Sequence, residues 1–144
     1  MLPTRLSSLI LLLITLIALN ACGSPSASDL AKELQTVISW QATAHMVGDA
    51  WLNQTVPAVF AKRTLQSAQE GLQQEADTLT HIPDIPAQQR TMLLQPLQQS
   101  EHIVAHMLTA IEQDNHAMMT QQLQNLSTNQ QTIKTLAEKA GLQQ

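Results

Sequence analysis

Ala58-Val59-Phe60-Ala61-Lys62-Arg63-Thr64-Leu65-Gln66-Ser67-Ala68-Gln69-Glu70-Gly71-Leu72-Gln73-Gln74-Glu75-Ala76-Asp77-Thr78-Leu79 is the stretch that decides the fold. Ala58, Ala61, Leu65, Ala68, Leu72, Ala76 and Leu79 recur at helical period and form one apolar stripe, while Lys62, Gln66, Gln73 and Asp77 take the opposite face. Alternation of Ala and Leu along the stripe predicts a narrow, tightly packed seam against neighbouring helices. Val56-Pro57 precedes the stretch, and the residue before a proline avoids helix while the proline suits a first turn. His81-Ile82-Pro83-Asp84-Ile85-Pro86 follows it, a loop whose two prolines stop one helix and admit the next.

Towards the N-terminus, Leu30, Leu34, Val37, Ile38, Gln41, Ala44, Val47, Gly48, Trp51 and Leu52 share a second helical face, with Trp40 on its flank and Ser28 or Asp29 as the expected N-cap. This apolar arc is wider than one seam requires, which predicts spare surface for a protein partner. Towards the C-terminus, Leu93, Leu97, Ser100, Val104, Met107, Leu108 and Ile111 point inward from a third helix that should kink at Pro96. Asp114 is the expected N-cap of a fourth, whose inward residues are Met119, Leu123, Leu126, Gln130, Ile133, Leu136, Ala137 and Ala140. Lys134 and Lys139 suit its negative end and Gly141 its stop. The expectation is an all-α, up-down-up-down four-helix bundle over 29–144, with helices about 29–53, 57–80, 86–113 and 115–140.

Ahead of the bundle stand Met1 and Arg5, the apolar run Leu6 to Leu19, and then Leu19-Asn20-Ala21-Cys22. A charged start, an apolar core and small residues at its end are the parts of a secretory signal, and the run is shorter than the roughly 20 residues that span a bilayer. Leu19-Asn20-Ala21-Cys22 resembles the lipobox of bacterial lipoproteins, with Leu19 and Ala21 at the family's aliphatic and small positions and Asn20 departing at the middle one. The resemblance covers residues 1–22 only. It implies that residues 1–21 are removed, that Cys22 carries a diacylglyceryl group and becomes the first residue, and that 22–28 form a linker from membrane to bundle. Two or three acyl chains anchor stably at about 0.8 kcal/mol per buried methylene. Gly23 stands where some Gram-negative lipoproteins carry an inner-membrane retention Asp, so the outer membrane is the implied destination.

The net charge is −4, charged residues make up 12% of the chain against the usual share of about 25%, and twenty Gln fill the polar positions. This excludes the basic field of a nucleic-acid binder and the Lys/Arg clusters that grip anionic lipid. Cys22 is the sole cysteine, so the fold has no intrachain disulfide.

Candidate chemistry is sparse. His102 and His106, at i and i+4, share a helix face and could hold a divalent transition metal with a third ligand. The wheel puts them roughly 160° from Val104, on the wet side. A haem alternative would draw on His45, Met107 and Met119. Acidic residues fall singly on polar faces, which offers no carboxylate pair for acid–base work and no catalytic set to name. Gln41 and Gln130 lie within apolar stripes and are expected to hydrogen-bond each other across the core. Leu126-Ser127-Thr128-Asn129-Gln130 resembles the Leu-Thr-x-x-Gln motif of periplasmic helical-hairpin stress chaperones, but those present a basic concave face and this chain is acidic. The expected function is binding or scaffolding by a lipid-anchored accessory protein, without catalysis and without a resident cofactor. Metal binding is the alternative.

Overall fold

A computed structural model describes residues 25–139 of the chain, and within them four helices follow one another: α1 (Pro25–Leu52), α2 (Ala58–His81), α3 (Ala87–Glu112) and α4 (His116–Lys139). The proposed signal peptide, Cys22 and Ala140 lie outside the described residues. Each helix packs on its neighbours in sequence, α4 returns to α1, and α1 also touches α3 across the diagonal. The result is an up-down-up-down bundle. No helix among the described residues is long and apolar enough to cross a membrane.

Local chemistry sets the joints. Pro57 and Pro86 are extended capping residues, one position earlier than a first-turn proline, and their carbonyls accept from Ala61 N–H at 3.1 Å and Arg90 N–H at 3.0 Å. α1 begins at Pro25, ahead of the expected Ser28 or Asp29, because proline's fixed φ favours the first helical position.

Asp114 is not the cap of α4. It closes α3 in the left-handed region at φ 50°, where its N–H donates to the Ile111 carbonyl at 3.2 Å while Asn115 N–H donates to Ala110 at 2.8 Å. Asn115 then caps α4, its Oδ1 accepting from Met118 N–H at 2.9 Å. The same C-terminal geometry closes α1, with Gln54 at φ 57°.

Two inward positions differ from the apolar reading. In α2 the buried residues are Ala61, Leu65, Ala68, Gly71, Leu72, Glu75 and Leu79. The alternating four-and-three spacing that faces neighbouring helices therefore runs through Glu75, while Ala76 is half-buried and Ala58 exposed. In α4 the alternation breaks: after Leu126 the buried residue is Asn129, three on, and Gln130, the four-step position, is half-buried.

The wide arc of α1 is occupied. Leu30, Leu34, Val37, Gln41, Ala44, Val47 and Trp51 are buried, and Ile38, Trp40 and Leu52 pack against the core. A helix that touches three others needs three faces, and this accounts for the width of the arc. It leaves no spare apolar face on α1 for a partner.

Close approach depends on two glycines. A Cβ on Gly71 would overlap the indole of Trp40, so the ring lies directly on the α2 backbone. A Cβ on Gly48 would meet Met107 Cε at 2.6 Å, Leu123 Cδ2 at 3.0 Å and Met119 Sδ at 3.1 Å, all ends of flexible side chains. The two sites differ in what can give way. Gly71→Ala should destabilise the bundle by about 1–3 kcal/mol despite the gain of about 1 kcal/mol in helix propensity. In a Trp40→Leu background the same change should be neutral or stabilising, as denaturant melts of the four-variant cycle will show.

Candidate functional site

The seam between α1 and α2 carries the structure's most perturbed group. Glu75 is only 9% exposed, and the carboxyl of Glu33 on α1 acts on it across the seam. Glu75 Oε2 is a buried oxygen with no hydrogen-bond partner among the described residues. Burial and the Glu33 carboxyl push Glu75 up to about 7 from 4.5, and the Lys32 ammonium offsets part of this. The acids are not all solitary: the structure pairs two of them. The signal in the sequence was the position of Glu75 on the four-and-three spacing of α2, where an apolar neighbour, Ala76, drew the stripe one residue aside.

Along this seam runs an open groove of about 510 Å³ lined by Asp29, Glu33, Asp77, Thr78, His81, Ile82 and Pro83. His81 Nδ1 is held 2.7 Å from the Asp77 carbonyl. On the α3 side, partial burial and the Asp77 charge raise Glu101 above its ordinary range, against the pull of His102. The C-terminal half of α2 thus faces acids from both neighbours. Such a seam can hold or release a proton near neutrality.

A second polar group crosses the core. Gln41 Nε2 donates to Ser100 Oγ at 2.8 Å, Ser100 Oγ–H donates to the Pro96 carbonyl at 3.1 Å, and Asn129 Nδ2 donates to that same carbonyl at 2.9 Å. Gln41 therefore pairs with Ser100 and not with Gln130. Gln130 Nε2 reaches the Ile38 carbonyl of α1 at 3.4 Å instead. Gln41 is on the four-and-three spacing of α1, so it points to the bundle axis, and the half-buried Gln130 meets α1 at its edge. Gln41 Oε1 and Asn129 Oδ1 remain buried acceptors with no donor among the described residues.

The metal candidates His102 and His106 are exposed on α3, and no group of three His, Cys, Asp or Glu among the described residues is arranged to hold a metal ion. The pair by itself offers two donors. Met107 and Met119, the inward thioethers, are fully buried and pack around Gly48, while His45 is half-buried. At the far pole Trp51 and His116 rings lie 4.7 Å apart at 43°, and Lys62 bridges Glu112 at 2.6 Å. Beside them Val59 and Phe60 are 75% and 54% exposed in the first turn of α2.

No family model, no curated protein and no solved structure matches the chain at a significant level. Function is argued from these groups alone.

The sign of the Glu75 effect is fixed. A carboxyl raised above its unfolded value contributes stability that is fully present below about 4.5 and is lost as pH rises through about 7. Wild-type denaturation midpoints should fall across that window, and Glu75→Gln, which keeps the neutral donor at every pH, should remove the fall and be the more stable form above about pH 7. Parallel urea melts at intervals of pH check both statements.

Proposed function

We propose that the protein is a lipid-anchored extracytoplasmic accessory protein, bound to the membrane through acyl chains on Cys22, which works by holding a protein partner. The observation that carries the binding role is the exposed pair Val59 and Phe60. Large apolar side chains are costly to leave in water, and here two adjacent ones open a helix at a pole where Lys62, Arg63 and Glu112 supply a polar rim. The wide arc of α1, which first suggested a partner, is covered within the bundle and gives this reading no support.

Geometry makes the reading specific. α1 starts three positions after Cys22 and runs 28 residues, about 42 Å at 1.5 Å per residue. A short tether would set the pole of Pro25, Ile82 and Lys139 at the head groups and hold Val59 and Phe60 some 40 Å out. The outer membrane is the proposed site in a Gram-negative cell. The alternative, a divalent-metal protein using His102 and His106, rests on two exposed donors and is the weaker reading.

Labelling with palmitate should mark the wild-type chain and leave Cys22→Ala unlabelled; equal label on both ends the anchor reading. A photo-crosslinking residue at Phe60 should give a discrete adduct that the same residue at Gln73, on the open face of α2, does not. Adducts that are equal at both positions, or absent at both, remove the binding pole.

A further inference from the structure

Charge is unevenly placed around the bundle. Besides its histidines α3 carries Arg90, Glu101 and Glu112, and all three face α2. Arg90 Nη2 donates to the Ile82 carbonyl at 2.8 Å, Glu101 stands within reach of the Asp77 charge, and Glu112 bridges Lys62. On α4 no Asp, Glu, Lys or Arg occurs from Ala117 to Ile133. Gln130 reaches the Ile38 carbonyl of α1, and Lys134 and Glu138 follow it at four-residue steps, so these two charges stand on the α1 side. Lys139, in the last turn, is the charged side chain that lines the grooves between α3 and α4.

Amide, hydroxyl and thioether groups fill the rest of that seam. Two grooves of about 210 and 270 Å³ meet at Met92 and Leu136, and the larger continues over Pro96 to Gln95, Gln99 and Thr132. A third, of about 480 Å³, shares Thr132 and Leu136 and spreads over the outer side of α4. Met92 stands 50% exposed where the first two join, with Gln95, Gln99 and Thr132 exposed beside it. Depletion of charge with Met retained is the composition of an interface centre, whereas a solvated flank carries Lys and Glu. From Met118 to Lys139 the face is about 33 Å long and two helices, about 20 Å, wide. That is the scale of the roughly 800 Å² that each side of a stable pair contributes. The bond from Asn129 to the Pro96 carbonyl marks its middle, and Gln95 and Gln99 flank that point.

We propose that the α3–α4 face is a two-fold interface on which a second copy of this chain docks, with Gln95 and Gln99 near the axis. Charge selects the occupant. The chain carries −4, so two copies repel where their acidic faces approach. In a two-fold contact each group near the axis meets its own copy, and an Asp or a Lys there would face itself. Amides both donate and accept, so they pair with their own kind, and Met92 against apolar groups of the other copy is plain apolar contact. A charged partner of either sign would find no ion pair at the middle of this face. Val59 and Phe60 belong to α2 and lie outside it, so this interface and the binding pole stand or fall separately, and neither acyl chains nor a membrane is needed for it.

Photo-crosslinking in cells that make the full chain tests this. A photoreactive residue at Gln99 should give an adduct of twice the chain mass whose two peptides, by mass spectrometry, both come from this chain, and the same residue at Gln73 on α2 should not. Sedimentation of the full chain in detergent supplies the second readout. Gln95→Glu and Gln95→Lys each set like charges together across the axis and should weaken self-association at least about tenfold, and an equimolar mixture of the two should restore it. No doubled adduct at Gln99, an equal one at Gln73, or an adduct with a different protein alone would each overturn the interface. So would charged variants that associate as the wild type does, or a mixture that associates no better than its components. The crosslink leaves Gln95 in place and decides the matter even if a charged variant fails to fold.

Discussion

Residue 71 has no side chain, and α1 meets α2 as it does because of this. An indole resting on helix backbone fixes both the separation of the two helices and their register, since one step of slip would drive Trp40 into a side chain. In an antiparallel pair, a register fixed at one point is fixed along the whole seam. The chain has one cysteine and only three aromatic side chains, so fine interlocking of small and aliphatic groups has to supply what disulfides or large rings supply elsewhere.

A different constraint governs the centre. Pro96 has no N–H, so α3 loses one backbone bond within its own length. The carbonyl of Pro96 gathers Ser100 and Asn129, and through Ser100 the amide of Gln41, so that α1, α3 and α4 meet at one polar point inside an aliphatic core. The orphaned oxygens of Gln41 and Asn129 show that this point is not optimised for stability. A polar junction that costs stability and admits only one pairing serves to distinguish the native stacking of the helices from its near neighbours, which an all-Leu seam does poorly.

Periodicity made the four helices and their order legible, because each stripe is long and prolines mark two of the joints. It failed at single positions. Ala76 and Gln130 were drawn into their stripes, whereas packing chose Glu75 and Asn129, one residue earlier. In α2 a rule that looks for apolar residues moved aside to Ala76 when Glu75 occupied the inward place; in α4 Gln130 is the regular position, and the departure is that Asn129 turns in to bond the Pro96 carbonyl. Asp114 illustrates another limit. A short polar residue between helices can start one or finish the other, and only the left-handed backbone at Asp114, with Asn115 next to it, tells which. The width of the α1 arc was read correctly as excess over one seam; that it served two further seams could not be known before the diagonal contact with α3 was seen.

The two ends of the bundle are chemically opposite, and the topology keeps them so. Every loop that joins α2 to α3 lies with the start of α1, where Asp29, Glu33, Asp77 and His81 gather around the groove. Every loop that joins α1 to α2 and α3 to α4 lies at the other pole, with Val59, Phe60 and the Trp51–His116 pair. The aliphatic middle that separates them holds the Gln41 junction as a brace. The two poles are distinct surfaces held apart by the length of the helices, and the contacts of Gly71 and Pro96 fix the helices between them.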